Sequence, residues 1–380
     1  MGTQMEAVVL GWFILTLTDS PFLVGLISAA RMGMNIMALF AGAIADRVPR
    51  HKLLATVEFM MAAFAVLMLV LILIDQLETW HIFAIAVIAG MVRVFQMPAA
   101  QSLVADTLPL ERIGNGAAFN NLGRNIAMLL GPLLGGVLFN SYGAKGAYVA
   151  IAILYFLSGW VALYIRSSGV TTSATETKES ESVVRSMVSG LKYVKGQQVL
   201  WATLCLALVI ESSGWTFHTT LMPIFAKDVL DVDSTGLGLL LFAFGVGAVV
   251  ASIGWAMVRN MRHVGKLMIA SVIFWHVSIL LFATSESFYI SMAILTLTGA
   301  GFGSTQVFLL SSLLGNSLPE YRGRVISLRS LAIYAFALGS MTSGLMAGLW
   351  SAPAAANVVG VMGIVLVLLL AVLAPKLRKL

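Results

Sequence analysis

Long apolar runs, separated by short polar clusters, dominate the pattern of hydrophobic and polar positions in this 380-residue chain. Most runs approach the roughly 20 residues that a helix needs to cross a bilayer core of about 30 Å. Strands of a membrane barrel would be shorter and would alternate between apolar and polar positions. The pattern therefore predicts an all-α membrane protein. Twelve segments are predicted to be transmembrane helices: 5–18, 21–45, 53–74, 81–104, 113–139, 147–165, 199–224, 235–258, 267–284, 288–314, 325–349 and 354–374.

The first predicted segment is shorter than the others. It begins at Met5 and ends near Thr18, so a complete crossing needs roughly half a dozen further residues. We therefore expect a first helix that is truncated at its N-terminal end.

Composition supports a membrane location and excludes several function classes. Hydrophobic residues make up 59% of the chain and charged residues 11%, and the mean hydropathy is +0.95, which does not fit a water-solvated surface. The net charge of +6 comes from loops between apolar runs, so no nucleic-acid partner is expected. Because Cys205 is the single cysteine, the chain has no internal disulfide, and we expect no metal and no cofactor.

The distribution of basic residues predicts the orientation. With loop 46–52 in the cytoplasm, only Lys145 and Lys227 lie on the opposite side, and three arginines lie within predicted spans. The other eighteen of the 23 Lys and Arg then face the cytoplasm, as the positive-inside rule requires. This asymmetry predicts a multi-pass protein of a prokaryotic inner membrane, with both termini in the cytoplasm.

The chain divides into two similar halves. Asp-Ser precedes both the second and the eighth predicted span, at 19–20 and 233–234, and Leu-Pro precedes both the fifth and the eleventh. Between the halves, residues 166–182 are rich in Ser, Thr and Glu, which is typical of a flexible connector. A duplicated unit of this kind is a transporter architecture. We predict an N-terminal six-helix bundle over 1–165, a cytoplasmic linker over 166–198 and a C-terminal six-helix bundle over 199–380.

The linker contains a predicted amphipathic helix. Val184, Met187, Leu191 and Val194 repeat at helical spacing, while Arg185, Lys192 and Lys195 supply positive charge. Such a helix is expected to lie on the inner leaflet, in contact with membrane lipids.

The segment 42–52 (GAIADRVPRHK) follows the second predicted span. It resembles the loop signature of the major facilitator superfamily, and it departs from that signature at Pro49 and His51. An acidic residue and a basic cluster at a helix end can form contacts that hold one conformation closed. The alternative is an ordinary positive-inside loop. The gating-loop candidates are Gly42, Asp46, Arg47 and Arg50.

The fifth predicted span contains AMLLGPLLGG at 127–136. This stretch resembles the antiporter motif of the same superfamily, with Ala in the first position. Proline removes a backbone hydrogen bond, and glycines permit close helix approach. The motif therefore favours export over import, although helix packing alone would explain it without specifying a direction. The helix-kink residues are Gly131, Pro132, Gly135 and Gly136.

The whole chain is most similar to the branch of the major facilitator superfamily that contains the enterobactin exporter and related drug exporters. The stretches that carry this resemblance are 17–21, the loop around Asp46, 98–101, 115–121 and 323–327. The resemblance implies a secondary transporter that acts as a monomer on a small-molecule substrate. It does not identify the substrate, because the branch moves siderophores, macrolides and lysolipids.

Ionisable residues inside predicted spans are candidates for proton coupling, because each costs about 2.5–3.5 kcal/mol to insert and needs a cavity or a partner. Glu211 lies near the middle of the seventh span, and His218 lies two helical turns later. Glu6 lies in the first span. We predict that Glu211 carries the coupling proton. The alternative for Glu211 is a carboxylate neutralised by an arginine, and for Glu6 a polar residue near a helix end.

Three arginines of the first half each lie close to amide side chains at helical spacing. Together with an aromatic residue of the seventh span, they predict a cavity for anionic or catecholate-like compounds. For each arginine, a structural bond is the alternative. The substrate-cavity candidates are Arg31, Asn35, Arg93, Gln96, Asn120, Asn121, Arg124 and Trp215.

These features predict a transporter that exports a small amphipathic compound, such as a drug or siderophore, by proton antiport with alternating access. An importer or a lysolipid flippase of the same fold is the alternative. An enzyme is disfavoured, because the sequence contains no H-E-x-x-H, no G-x-S-x-G and no P-loop.

Overall fold

A computed structural model describes residues 1–33, 48–107, 112–165, 183–258 and 261–380. Of the described residues, 88% are helical and none is in a strand, which confirms the all-α prediction. The α-helices up to the linker are α1 (Gly2–Thr18), α2 (Pro21–Gly33), α3 (Arg50–Leu73), α4 (Thr79–Arg93), α5 (Gln96–Thr107), α6 (Ile113–Tyr164) and α7 (Val183–Lys195). Those after it are α8 (Gln198–Ile210), α9 (Met222–Asp228), α10 (Ser234–Ala256), α11 (Val264–Ala283), α12 (Phe288–Gly315), α13 (Arg322–Ser330), α14 (Ile333–Leu349), α15 (Ala352–Leu373) and α16 (Pro375–Arg378).

Within the described ranges, nine helical segments are long and apolar enough to cross a membrane. One of them, Phe119–Tyr164, is 46 residues long and includes parts of two predicted spans. Its backbone leaves the helical region at Gly143 (φ 64°, ψ −168°), a left-handed φ that glycine adopts without strain. The twelve-span count and the truncation of α1 stay predictions, and the second predicted span continues beyond the described part of α2.

The helices form two compact units. The first unit comprises Met1–Thr18 and Ala30–Ser180, and the second comprises Asp19–Ala29 and Glu181–Leu380. The beginning of α2 therefore belongs to the second unit and its end to the first. The predicted limits of the two bundles and the linker stay a prediction.

In the first unit, α1 packs against the glycine-rich part of α6. A Cβ atom at Gly131 would lie 2.6 Å from Gln4 Cβ, and one at Gly135 would lie 3.3 Å from the Met5 carbonyl oxygen. Proline at 132 is accommodated inside the helix. Small residues let two helix backbones approach closely when no hydrophobic force drives them together. The motif therefore has a direct packing role at the α1–α6 contact.

In the second unit, glycines bring α10 and α12 into backbone contact. A Cβ atom at Gly247 would lie 1.8 Å from the Thr296 carbonyl oxygen, and one at Gly299 would lie 1.9 Å from the Phe244 carbonyl oxygen. Any larger residue at either position would push the two helices apart.

The linker contains α7, which agrees with the helix predicted over 184–194. Its Tyr193 ring stacks on Tyr321, with 4.1 Å between ring centroids, and the Tyr193 hydroxyl accepts a 3.1 Å hydrogen bond from the Leu318 backbone N–H. Val194 is buried, whereas Leu191 is 59% exposed. The helix is therefore docked on the loop before α13 and leaves an apolar side chain uncovered.

Candidate proton-coupling and substrate sites

A buried ion pair joins α1 and α4 in the first unit. Arg93 Nη2 donates a hydrogen bond of 2.6 Å to Glu6 Oε2, and the two side chains are 14% and 12% exposed. The Tyr155 hydroxyl donates to the same carboxylate oxygen at 2.8 Å and lies 3.2 Å from Thr3 Oγ1. Glu6 is thus held by a cation and a phenol, as a buried carboxylate requires.

The helix is interrupted directly after Arg93. Arg93 is the last residue of α4, and the helix is interrupted at residues 94–95 before α5 begins at Gln96. Such an interruption is tolerated inside a membrane protein where neighbouring helices surround it. It places the guanidinium and the Gln96 amide at the junction of two helical segments.

The arginines of the first unit have hydrogen-bonding capacity that the protein does not use. Arg31 is 9% exposed, and its Nε is buried and has no hydrogen-bond partner among the described residues. Arg93 Nε and Nη1 are buried and unpartnered as well. Because Glu6 is already paired with Arg93, the site has spare guanidinium donors that suit an anionic group.

Glu58 is a further buried carboxylate that the sequence analysis missed. It is 4% exposed on α3, and Gln96 Nε2 donates a 2.6 Å hydrogen bond to its Oε1. The signal was present in the sequence, since Glu58 lies inside the apolar run 53–74 and intramembrane acids are functional candidates by default. Gln96, which is predicted to line the substrate cavity, binds this carboxylate, and its cavity role stays a prediction.

In the second unit, Glu211 lies where α8 changes its hydrogen-bonding pattern. The helix continues as two π-helical turns, Glu211–Trp215 and Phe217–Leu221, and Thr216 Oγ1 donates to the Glu211 carbonyl oxygen at 3.0 Å. π-helical turns inside α-helices often mark functional sites. The Glu211 side chain is partly exposed, and Arg329 is the cation that acts on it electrostatically. Arg329 Nη2 itself donates to Gln306 Oε1 at 2.6 Å.

Aromatic rings surround His218, one helical segment after Glu211. The imidazole stacks on Phe244 with a centroid distance of 3.8 Å and lies 5.1 Å from the Trp215 ring, which in turn stacks on Phe302. The His218 Nδ1 is buried without a hydrogen-bond partner. The geometry thus puts Trp215 and His218 into one aromatic cluster beside the π-helical segment.

Other predicted site residues have different environments. Arg124 and Asn121 are exposed and Asn120 is partly exposed on α6, in contrast to Arg31, which is buried, and Arg93, whose side chain is 14% exposed. Arg50 is the first residue of α3 and is partly exposed. The predicted residues that lie outside the described ranges are Asn35, Gly42, Asp46 and Arg47.

Comparisons with known proteins agree with the helical architecture. A family model described as "transmembrane secretion effector" matches residues 1–380. The multidrug efflux pump Tap of Mycolicibacterium fortuitum is 22% identical over 91% of this chain and 86% of its own. The staphyloferrin A transporter of Staphylococcus aureus is 22% identical over 70% of this chain and 66% of its own, slightly under two thirds of its length. The multidrug resistance protein MdtG of Escherichia coli is 26% identical over 77% of this chain and 69% of its own.

Solved transporter structures share the fold. A POT family transporter in complex with 5-aminolevulinic acid has a TM-score of 0.77 at 14% identity, with 99% of this chain and 93% of that chain covered. An inward-facing, occupied bacterial homologue of the lysosomal transporter Spinster has a TM-score of 0.73 at 12% identity, with 99% and 92% covered. The predicted resemblance is confirmed: the chain belongs to the transmembrane secretion effector family of the major facilitator superfamily, and it is a multi-span membrane transporter of small molecules and not an enzyme.

Proposed function

We propose that this protein exports a small amphipathic compound in exchange for protons, by alternating access, as a monomer in the inner membrane. The single observation that carries the proposal is the buried Glu6–Arg93 ion pair of 2.6 Å in the first unit. A proton that binds Glu6 neutralises the carboxylate, so the pair loses its electrostatic attraction and Arg93 needs another anion. Proton binding and anion binding at Arg93 are thereby linked.

This linkage couples the protonation of Glu6 to substrate binding at Arg93, and the direction of exchange in the proposal rests on the names of the relatives. While Glu6 is ionised, its carboxylate occupies Arg93 Nη2, and an anionic group of the substrate would gain little binding free energy at this guanidinium. Once Glu6 is protonated, the guanidinium is free to bind that group, with Tyr155 left to hydrogen-bond the neutral acid. Arg31, with its unpartnered Nε, extends the same basic surface. The substrate class that fits is an amphipathic compound with a carboxylate or catecholate group.

Glu211 in the second unit is a further proton-coupling candidate, and His218 in the next π-helical segment is another. The partly exposed side chain of Glu211 and the π-helical turns fit a group that takes up and releases protons. The rings of Trp215 and Phe302 offer stacking surface to the apolar part of a substrate.

The relatives support the direction and the topology of the proposal. Two of the similar proteins are named as a multidrug efflux pump and a multidrug resistance protein, which favours export over import or lysolipid flipping. The distribution of basic residues supports cytoplasmic termini. We include in the proposal the twelve-span arrangement, with bundles over 1–165 and 199–380, a linker over 166–198, and a gating loop that contains Gly42, Asp46, Arg47 and Arg50.

The test uses everted membrane vesicles from a host that lacks its own exporters, with ethidium and carboxyfluorescein as cationic and anionic probes. We expect uptake of carboxyfluorescein into everted vesicles when a proton gradient is present, and its loss when a protonophore is added. Glu6→Gln should abolish gradient-driven uptake, whereas Glu286→Gln, at an exposed position, should leave it unchanged. Wild-type uptake by Glu6→Gln would overturn the proton role of the ion pair. Accumulation of the probe in intact cells would favour the importer alternative.

A further inference from the structure

We propose that Glu58 is a second proton-binding residue of the first unit, which shares Arg93 with Glu6 and is positioned by Gln96. The inference rests on the proposed function, because it assigns a second proton site to the same transport cycle. It is carried by the burial of Glu58, by the Glu58–Gln96 hydrogen bond and by the unused donors of Arg93.

Neutral side chains hydrogen-bond to the Glu58 carboxylate. It is 4% exposed, and its strongest contact is the 2.6 Å hydrogen bond from the neutral Gln96 amide, with the Ser158 hydroxyl also in hydrogen-bonding reach. No ion pair of Glu58 occurs within the ranges that the structure describes. A buried carboxylate that is bound only by neutral groups is satisfied when it is protonated and incurs a large desolvation cost when it is ionised.

The second step concerns the charges around Glu58. Arg93 and the amino group of Met1 interact electrostatically with Glu58 from beyond ion-pair distance. Arg93 also interacts electrostatically with a second carboxylate, that of Glu6. Glu6 and Glu58 therefore have different environments, because one contacts the guanidinium directly and the other does not. In the structure, Arg93 compensates Glu6 and leaves Glu58 with neutral partners.

The third step is the link between the two carboxylates. Arg93 and Gln96 lie on either side of the interruption between α4 and α5, so one short segment contacts both acids. Arg93 has two buried nitrogens, Nε and Nη1, without partners. When Glu6 takes up a proton and no substrate anion is bound at Arg93, the guanidinium can stabilise an ionised Glu58, which then gives up its own proton.

Charge balance supports this exchange. With Glu6 ionised, Arg93 protonated and Glu58 neutral, the buried trio has no net charge. With Glu6 neutral, Arg93 protonated and Glu58 ionised, it again has none. One proton arrives on a Glu6 oxygen and one leaves a Glu58 oxygen, so the net charge of these three groups does not change. Arg31, which acts electrostatically on Glu6 and Arg93, adds the same positive charge to both states.

The test that needs no substrate is pH-difference infrared spectroscopy of the purified, reconstituted protein. At neutral pH we expect a carbonyl stretching band from a protonated carboxyl group, which Glu58→Gln removes and Glu286→Gln leaves unchanged. Glu6→Gln should weaken this band, because Arg93 is then free to stabilise ionised Glu58. Glutamine has nearly the same size and shape as protonated glutamate, so the substitution should not disturb packing. Thermal unfolding followed by tryptophan fluorescence checks that each variant is folded. A Glu58→Gln spectrum identical to that of the wild type would overturn the proposal.

Transport separates this inference from the proposed function. In everted vesicles, we expect Glu58→Gln to lower gradient-driven carboxyfluorescein uptake at least tenfold while downhill release of the probe continues, and Glu58→Asp to restore part of the uptake. If Glu6→Gln stops uptake and Glu58→Gln does not, the second proton site is rejected and the exporter stands. If the wild type moves neither probe, the infrared band still decides whether Glu58 binds the proton.

Discussion

Arg93 Nη2 and Glu6 Oε2 lie 2.6 Å apart, although the two residues are 87 positions apart in the chain. The pair connects the first helix of the chain to the end of α4, and Tyr155 on α6 completes it. Three helices of the first unit thus meet at one carboxylate. Any movement of α1 against α4 must break or re-form this contact, which makes it suitable for coupling a proton to a conformational change.

The first prediction concerns the stability of this ion pair. Arg93→Gln leaves the Glu6 carboxylate buried without its cation, and loss of one partner of a buried pair destabilises a protein by about 3–5 kcal/mol. We expect Arg93→Gln to have a lower thermal unfolding midpoint than the wild type in detergent. The double variant Glu6→Gln/Arg93→Gln should recover most of the lost midpoint temperature. Thermal unfolding followed by tryptophan fluorescence measures both. A double variant as unstable as the single one would show that the pair is not the source of the loss.

The second prediction concerns the α1–α6 contact. Gly131→Val places a branched side chain where even a Cβ atom lies 2.6 Å from Gln4 Cβ, so α1 must move away from α6. Overpacking of this kind costs about 1–3 kcal/mol. The matched control is Gly123→Val on the same helix, because no described atom outside the nearby backbone of that helix lies within 4 Å of a Cβ atom there. Equal unfolding midpoints for the two variants would contradict a packing role for the glycine.

The third prediction concerns Glu211. If this residue carries a proton, Glu211→Gln abolishes gradient-driven uptake of carboxyfluorescein in everted vesicles but preserves downhill release. If it has only a structural role beside Arg329, both activities fall together. Uptake at the wild-type rate in Glu211→Gln would remove it from the coupling mechanism. The exposed Glu286→Gln again serves as the control.

The fourth prediction concerns the docking of the linker helix. Tyr193→Ala removes the ring that stacks on Tyr321 and the hydroxyl that accepts from Leu318. We expect α7 to detach more often and limited proteolysis at the linker to become several-fold faster. Leu191→Ala changes an exposed side chain of the same helix and should leave the cleavage rate in detergent unchanged. Similar cleavage rates for Tyr193→Ala and the wild type would show that the stacked rings do not hold the helix.

The sequence by itself determined the fold class and most helix positions. The predicted spans 53–74, 235–258 and 288–314 correspond to Arg50–Leu73, Ser234–Ala256 and Phe288–Gly315. This works because transfer of a helix into a bilayer depends on the sum of its own side chains, which the sequence contains in full. For the same reason, the sequence marked Arg31, Arg93 and Glu211 as charges that need an explanation.

Only the tertiary structure decided which polar groups meet. The pairing of Glu6 with Arg93, the contact of Glu58 with Gln96 and the packing of Gly131 on Gln4 each join separate helices. The periodicity of one helix defines its polar and apolar faces. It does not specify which neighbouring helix covers a face, or at which position along the helix axis the contact occurs. Partners inside a membrane protein depend on how helices pack against one another, and this packing is a property of the whole assembly.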